Sequence, residues 1–108
     1  MITKEEADLF CKFELKTWKL SNINIVWSDM TCYLGLADVA NNRIILSTRI
    51  LNSTQVLIEV VKHEICHVLD YQERGTFIGK HGRNDFHGES FKKWCKIVNV
   101  KCRRFIPV

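Results

Sequence analysis

The run His63-Glu64-Ile65-Cys66-His67 constrains this chain more than any other feature, because it sets three ionisable side chains inside an apolar helix. Val56, Leu57, Val60, Val61, Ile65, Val68 and Leu69 recur around it at helical spacing. Asn52 and Ser53 are candidate N-caps, and Gln55, three residues after Asn52, completes a capping box, so a helix is expected from about Thr54 to Arg74. Four residues of α-helix turn through about 400° and rise about 6 Å, which stacks His63 over His67 on one face. Burying such groups is costly unless something pairs them. A tetrahedral zinc ion does so, accepting two imidazole nitrogens at about 2.0–2.1 Å each. Glu64 stands on the adjoining part of the helix, placed to act on a metal-bound water as general base rather than as a ligand.

A catalytic zinc takes three protein ligands and keeps a fourth position open. All four histidines fall in this helix or in the segment after it, which Gly75, Gly79, Gly82 and Gly88 mark as a loop. The candidates for a third ligand are His81, His87 and Glu89. Glu73, six residues after His67, has the spacing of another zinc-peptidase pattern, but that pattern needs glycine where this chain has Asp70.

The five cysteines, at positions 11, 32, 66, 95 and 102, are odd in number and form no C-x-x-C pair. That argues against a zinc ribbon and a disulfide framework, and for a reducing, cytoplasmic setting with mostly buried thiols, Cys66 among them. No run approaches the roughly 18 apolar residues of a membrane span, and the charged start Met1-Ile2-Thr3-Lys4-Glu5-Glu6 is unlike a signal peptide. With 108 residues, one domain spanning 1–108 is expected.

The net charge of +4 is uneven: residues 1–60 carry 6 basic and 7 acidic side chains, residues 61–108 carry 10 and 5. From Phe91 onward Lys92, Lys93, Lys96, Lys101, Arg103 and Arg104 stand without one acid. Such a stretch suits DNA or another polyanion, and equally a solvated face.

Thr3 and Glu6 form a capping box for a first helix over residues 4–19, with Leu9, Phe10, Phe13 and Trp18 mostly along one side. Residues 23–27, 32–39 and 43–47 read as strands, with Gly35 a bulge or a point of close approach and Asn41-Asn42 a hairpin turn. Residues 89–99 read as a last helix, and Val100 to Val108 as a short strand or a tail. The order predicts an α+β fold, with helices packed on a small antiparallel three-stranded sheet.

His87-Gly88-Glu89-Ser90-Phe91 resembles the H-G-x-x-F motif of SprT-like zinc metallopeptidases, which follows their H-E-x-x-H helix across a loop. The run Leu34-Gly35-Leu36-Ala37, then Arg43-Ile44-Ile45-Leu46-Ser47, is similar to the strands that precede the metal helix in that family. The resemblance spans about Thr3 to Val100, though its sharp motifs are two short segments. It implies a minimal zincin-like core with one Zn²⁺ on His63, His67 and His87, Glu64 as catalytic base, and a protein or peptide substrate. His81 also begins an H-G sequence, but Phe86 falls one place too late for the motif. By analogy with zinc peptidases, substrate lies along a strand edge within residues 31–47. Asp70 and Asp85 are candidate partners of the ligand imidazoles, and Tyr71 of a substrate oxyanion. Many members carry a C-terminal zinc ribbon and act on DNA-associated proteins; this chain lacks the C-x-x-C pairs of a ribbon. Two other readings fit the same motifs: a zinc hydrolase of a different amide or ester, and a nucleic-acid-binding module whose metal is mainly structural, for which His81 as a fourth ligand would speak.

Overall fold

A computed structural model describes residues 2–102. Helix α1, Lys4–Thr17, begins at Thr3, whose hydroxyl accepts from the Glu6 N–H while the Glu6 carboxylate accepts from the Thr3 N–H, so both halves of the capping box form. Its core-facing stripe is Ala7, Cys11 and Leu15, four residues apart. Leu9 and Phe13 share a different face and are exposed, contrary to the expected apolar side, while Phe10 and Trp18 are partly packed.

The strands are β1 (Asn24–Ser28), β2 (Gly35–Asp38) and β3 (Arg43–Ser47), in the spatial order β1-β3-β2. β2 and β3 are antiparallel, with Gly35 opposite Leu46 and Asp38 opposite Arg43. β1 and β3 are parallel, with Asn24 opposite Arg43. The sheet is therefore mixed, not antiparallel as expected. The cause is the segment after β1, which crosses the end of β3 instead of turning back on β1. Three bonds hold it there: the Ser47 hydroxyl donates to the Met30 carbonyl at 2.9 Å, that of Thr48 to the Asp29 carboxylate at 2.9 Å, and the Arg49 guanidinium to the Thr31 carbonyl at 2.8 Å. β3 becomes the centre, with Ile44 and Leu46 fully buried, and β2 is left as an edge strand.

A 3-10 turn, Thr48–Asn52, leads from β3 to helix α2, Thr54–Arg74. Ser53 alone caps α2, its hydroxyl accepting from the Val56 N–H at 3.3 Å; Asn52 belongs to the turn, so the expected Asn52–Gln55 box does not form. Gly75 ends the helix at φ 71°, a left-handed conformation that glycine adopts without steric cost. The glycine-rich segment that follows is more regular than a bare loop. Ile78 and Asn84 form a β-bridge, the Asp85 N–H donates to the Phe77 carbonyl at 2.6 Å, and Gly82 turns the chain at φ 73°. Helix α3, Glu89–Val98, packs Phe91, Cys95 and Val98 against α2. Three helices on a small mixed sheet make an α+β fold. No described helix is long and apolar enough to cross a membrane.

Candidate metal centre

Helix α2 crosses the core beside β2, and His63, Glu64 and His67 lie at 5 %, 6 % and 8 % exposure on its buried face. The Nε2 atoms of His63 and His67 face each other at 3.1 Å. His87, at the entry to α3, completes the group: one nitrogen from each of the three imidazoles lies within 4.8 Å of the others, placed to hold a metal ion. Among the described residues no other set of His, Cys, Asp or Glu side chains is placed in this way. His81 is exposed on the hairpin and Glu89 on α3, both outside the group, so the closed four-ligand site does not form among the described residues.

The spacing of H-G-x-x-F has a geometric reason. Phe91, four residues after His87 and fully buried, sits one helical turn behind it and packs against all three imidazoles. It stacks on His67 with centroids 4.3 Å apart and meets His63 and His87 edge-on at 5.1 and 5.0 Å. The intervening glycine leaves room for the Asp85 side chain, since a Cβ on Gly88 would lie 2.3 Å from its carboxylate and push it aside.

Glu64 points towards β2. The Ala37 N–H bonds its carboxylate, and the missing side chain of Gly35 makes room for it: a Cβ there would meet Val60 Cγ1 at 2.9 Å and Glu64 Cγ at 3.0 Å. Gly35 is thus a point of close approach, not a bulge. Burial pushes the Glu64 carboxyl up to about 8, opposed by the Ala37 bond. Burial likewise pushes His63 down to about 4, with the nearby His87 adding to it, and His67 down to about 3, with His63 and His87 adding to it. Both rings are therefore neutral at pH 7 and carry the lone pair a metal needs. A cation held between them draws the Glu64 carboxyl back towards its ionised form.

The three imidazoles and Glu64 form part of the wall of a cleft of about 830 Å³. Edge strand β2 and the 31–34 segment line one part of it, and Phe77 and Phe86 of the hairpin another.

A family model, the SprT-like family, matches residues 5–107. The chain belongs to the SprT-like family. No curated protein matches it. In this SprT-like chain the loop bearing the third histidine is braced by a residue its motifs do not mark. Arg74 grips Asp70, fully buried on the same helix, through Nε at 2.7 Å and Nη2 at 2.9 Å, and it also donates to the Ile78 and Asp85 carbonyls at 3.3 and 2.9 Å. Asp70 therefore serves the hairpin and not a ligand ring. The Asp85 side chain lies against Gly79 and Gly88, and Tyr71 packs on Phe77 outside the cleft lining. Glu73 is engaged by α3, accepting from Ser90 Oγ at 3.2 Å, Trp94 Nε1 at 2.7 Å and Lys93 Nζ.

Lys92, Lys93, Lys96 and Lys101 are exposed, but Lys93 is ion-paired to Glu73. The stretch without acids in sequence thus gains one in space. Arg103 and Arg104 lie outside the described residues.

Proposed function

We propose that this chain is a zinc-dependent endopeptidase. The observation that carries the reading is the three-histidine group, with His63 and His67 buried and His87 partly so, beside a carboxylate, in the wall of a cleft bordered by an edge strand. The donor set fits zinc: tetrahedral bonds of about 2.05 Å set the nitrogens about 3.3 Å apart, against 3.1 Å between His63 and His67. Nδ1 of His63 and of His67 has no hydrogen-bond partner among the described residues, so neither Nε2 is committed by a tautomer fixed from behind. His63, His67 and His87 hold the ion. Zinc so bound polarises a carbonyl and lowers the pKa of water.

The remaining chemistry belongs to the chain. Glu64, steered by the Ala37 N–H, accepts the proton of the attacking water and passes it to the departing amine nitrogen. Edge strand β2 offers backbone groups to an extended peptide, holding the scissile bond beside Glu64. The buried wall of Phe91 keeps the imidazoles in one geometry. The test is cleavage of an unfolded protein such as casein: zinc-loaded protein cleaves it, a chelator stops cleavage, and added zinc restores it. Hydrolysis of small esters without any peptide cleavage would move the chain to a different class of hydrolase.

We propose in addition that the basic surface of α3 and of Lys101 just after it holds DNA-borne substrates near the cleft, since Lys92, Lys96 and Lys101 are exposed without an ion-pair partner among the described residues. For each tenfold rise in salt, binding to short DNA should fall by about one logarithmic unit per phosphate contact. Neutralising Lys92, Lys96, Lys101, Arg103 and Arg104 should flatten that slope at constant zinc content. A slope unchanged by that substitution makes the face a solvated surface.

A further inference from the structure

The peptidase reading leaves one charged side chain of the cleft without a task. Arg49, in the turn between β3 and α2, is the one lysine or arginine among the described residues that line it. Its Nη1 is tethered to the Thr31 carbonyl at 2.8 Å, and no carboxylate among the described residues pairs with it. A guanidinium carries five N–H donors in a rigid fork, so most remain available, and the tether lowers the entropic cost of using them. The rest of the wall away from the imidazoles is largely apolar, with Tyr33, Leu36, Phe77 and Phe86. A lone cation on such a wall is suited to an anion of the ligand.

Its place beside the segment that leads into β2 sets where that anion falls. Glu64 meets the chain at Gly35 and Ala37, whereas Arg49 is bound at Thr31. Four to six residues separate these points, at most about 13–20 Å at about 3.3 Å per residue. Residues 31–34 bend before β2 begins, so the span is shorter than that bound, and a peptide extended along β2 with its scissile bond at Glu64 covers it in no more than about six residues. We propose that Arg49 is a specificity residue that binds a carboxylate within about six residues of the scissile bond. The preferred substrate is then a segment with apolar residues in the cleft and an acidic group beyond them, either an Asp or Glu side chain or the free C-terminus of the chain. The inference rests on the peptidase reading for the polymer that bears the carboxylate.

The test uses a peptide set of one apolar core in three forms: an Asp in the distal positions with an amidated end, Asn in its place with an amidated end, and Asn with a free C-terminal carboxylate. Binding is read by fluorescence anisotropy on zinc-loaded Glu64→Gln protein, and cleavage on the zinc-loaded wild-type chain. An acidic form should bind and react roughly three- to tenfold better than the amide form, as for one partly exposed charge-assisted contact, with the advantage shrinking in salt. Which acidic form gains identifies the source of the carboxylate. In Arg49→Gln the acid-to-amide ratio should collapse to about one, and in Arg49→Lys it should be partly kept, a comparison in which any general loss cancels. Equal binding of all three forms, or a ratio undiminished in both variants, overturns the proposal. An Arg49-dependent ratio in binding without any cleavage keeps this subsite and rejects the peptidase reading; cleavage without a ratio does the reverse.

Discussion

Glu64→Gln protein is expected to keep its zinc and its fold and to lose peptide hydrolysis by about 10²–10⁴-fold, the usual worth of a positioned general base. The amide is nearly isosteric with the carboxylate, so the contact with Gly35 is preserved. It cannot take a proton from water. Thermal unfolding and metal content should match the wild-type protein, while turnover on casein or a peptide falls to background. The fold-level observation behind this is the placement of Glu64 against β2 instead of among the imidazoles. Turnover within a few-fold of wild type would take Glu64 out of the mechanism and leave it a buried acid with a structural role.

Arg74→Ala should be the most destabilising single change outside the core. Asp70 is fully buried and has its carboxylate paired by Arg74, whose own side chain is 22 % exposed. Removing the partner leaves a buried charge uncompensated, which costs about 3–5 kcal/mol. The same change frees the Ile78 and Asp85 carbonyls and so loosens the hairpin that delivers His87. Urea unfolding should show a loss of about 3 kcal/mol, the lower end of that range because Arg74 keeps some water, and a chelator should strip zinc faster than from wild type. Arg74→Lys should recover only part, since an ammonium cannot span both carboxylate oxygens and two carbonyls. A midpoint unmoved by Arg74→Ala would mean that the hairpin holds itself.

Much of this was legible in the chain before its structure. The α2 boundaries, 54–74, and β3, 43–47, follow from apolar periodicity bounded by a serine cap and a glycine, all local signals. The Thr3–Glu6 box is local in the same way. The sheet was misread because pairing is a long-range property. Nothing near β1 says that Asp29, Met30 and Thr31 will be held by Thr48, Ser47 and Arg49, about 18 residues later, and those bonds put β3 between its neighbours. The face of α1 differs from the expectation because Leu9 and Phe13 are the more apolar pair, yet Ala7, Cys11 and Leu15 are the residues that α1 turns into the core. His63, Glu64 and His67 were readable from one helical turn. His87 needed the resemblance, because two H-G sequences compete and only the structure shows Phe91 packing behind one of them. Arg49 had no signal, and for Arg74 only the i,i+4 spacing from Asp70 was readable, not the hairpin it holds. Their contacts with the 31–34 segment and the hairpin run through backbone carbonyls, and any residue type supplies those. The charge on Lys93 was overcounted for a related reason, since its acidic partner comes from another helix.

His63, His67 and His87, and not His81, are the residues proposed to hold one zinc ion per chain. Elemental analysis of the purified protein after dialysis against a weak chelator tests this most directly. The account predicts about one zinc per chain for wild type and for His81→Ala, and little or none for His63→Ala, His67→Ala and His87→Ala, with Glu64→Gln unchanged. Full zinc in His87→Ala together with loss in His81→Ala would contradict it and move the third ligand to the hairpin.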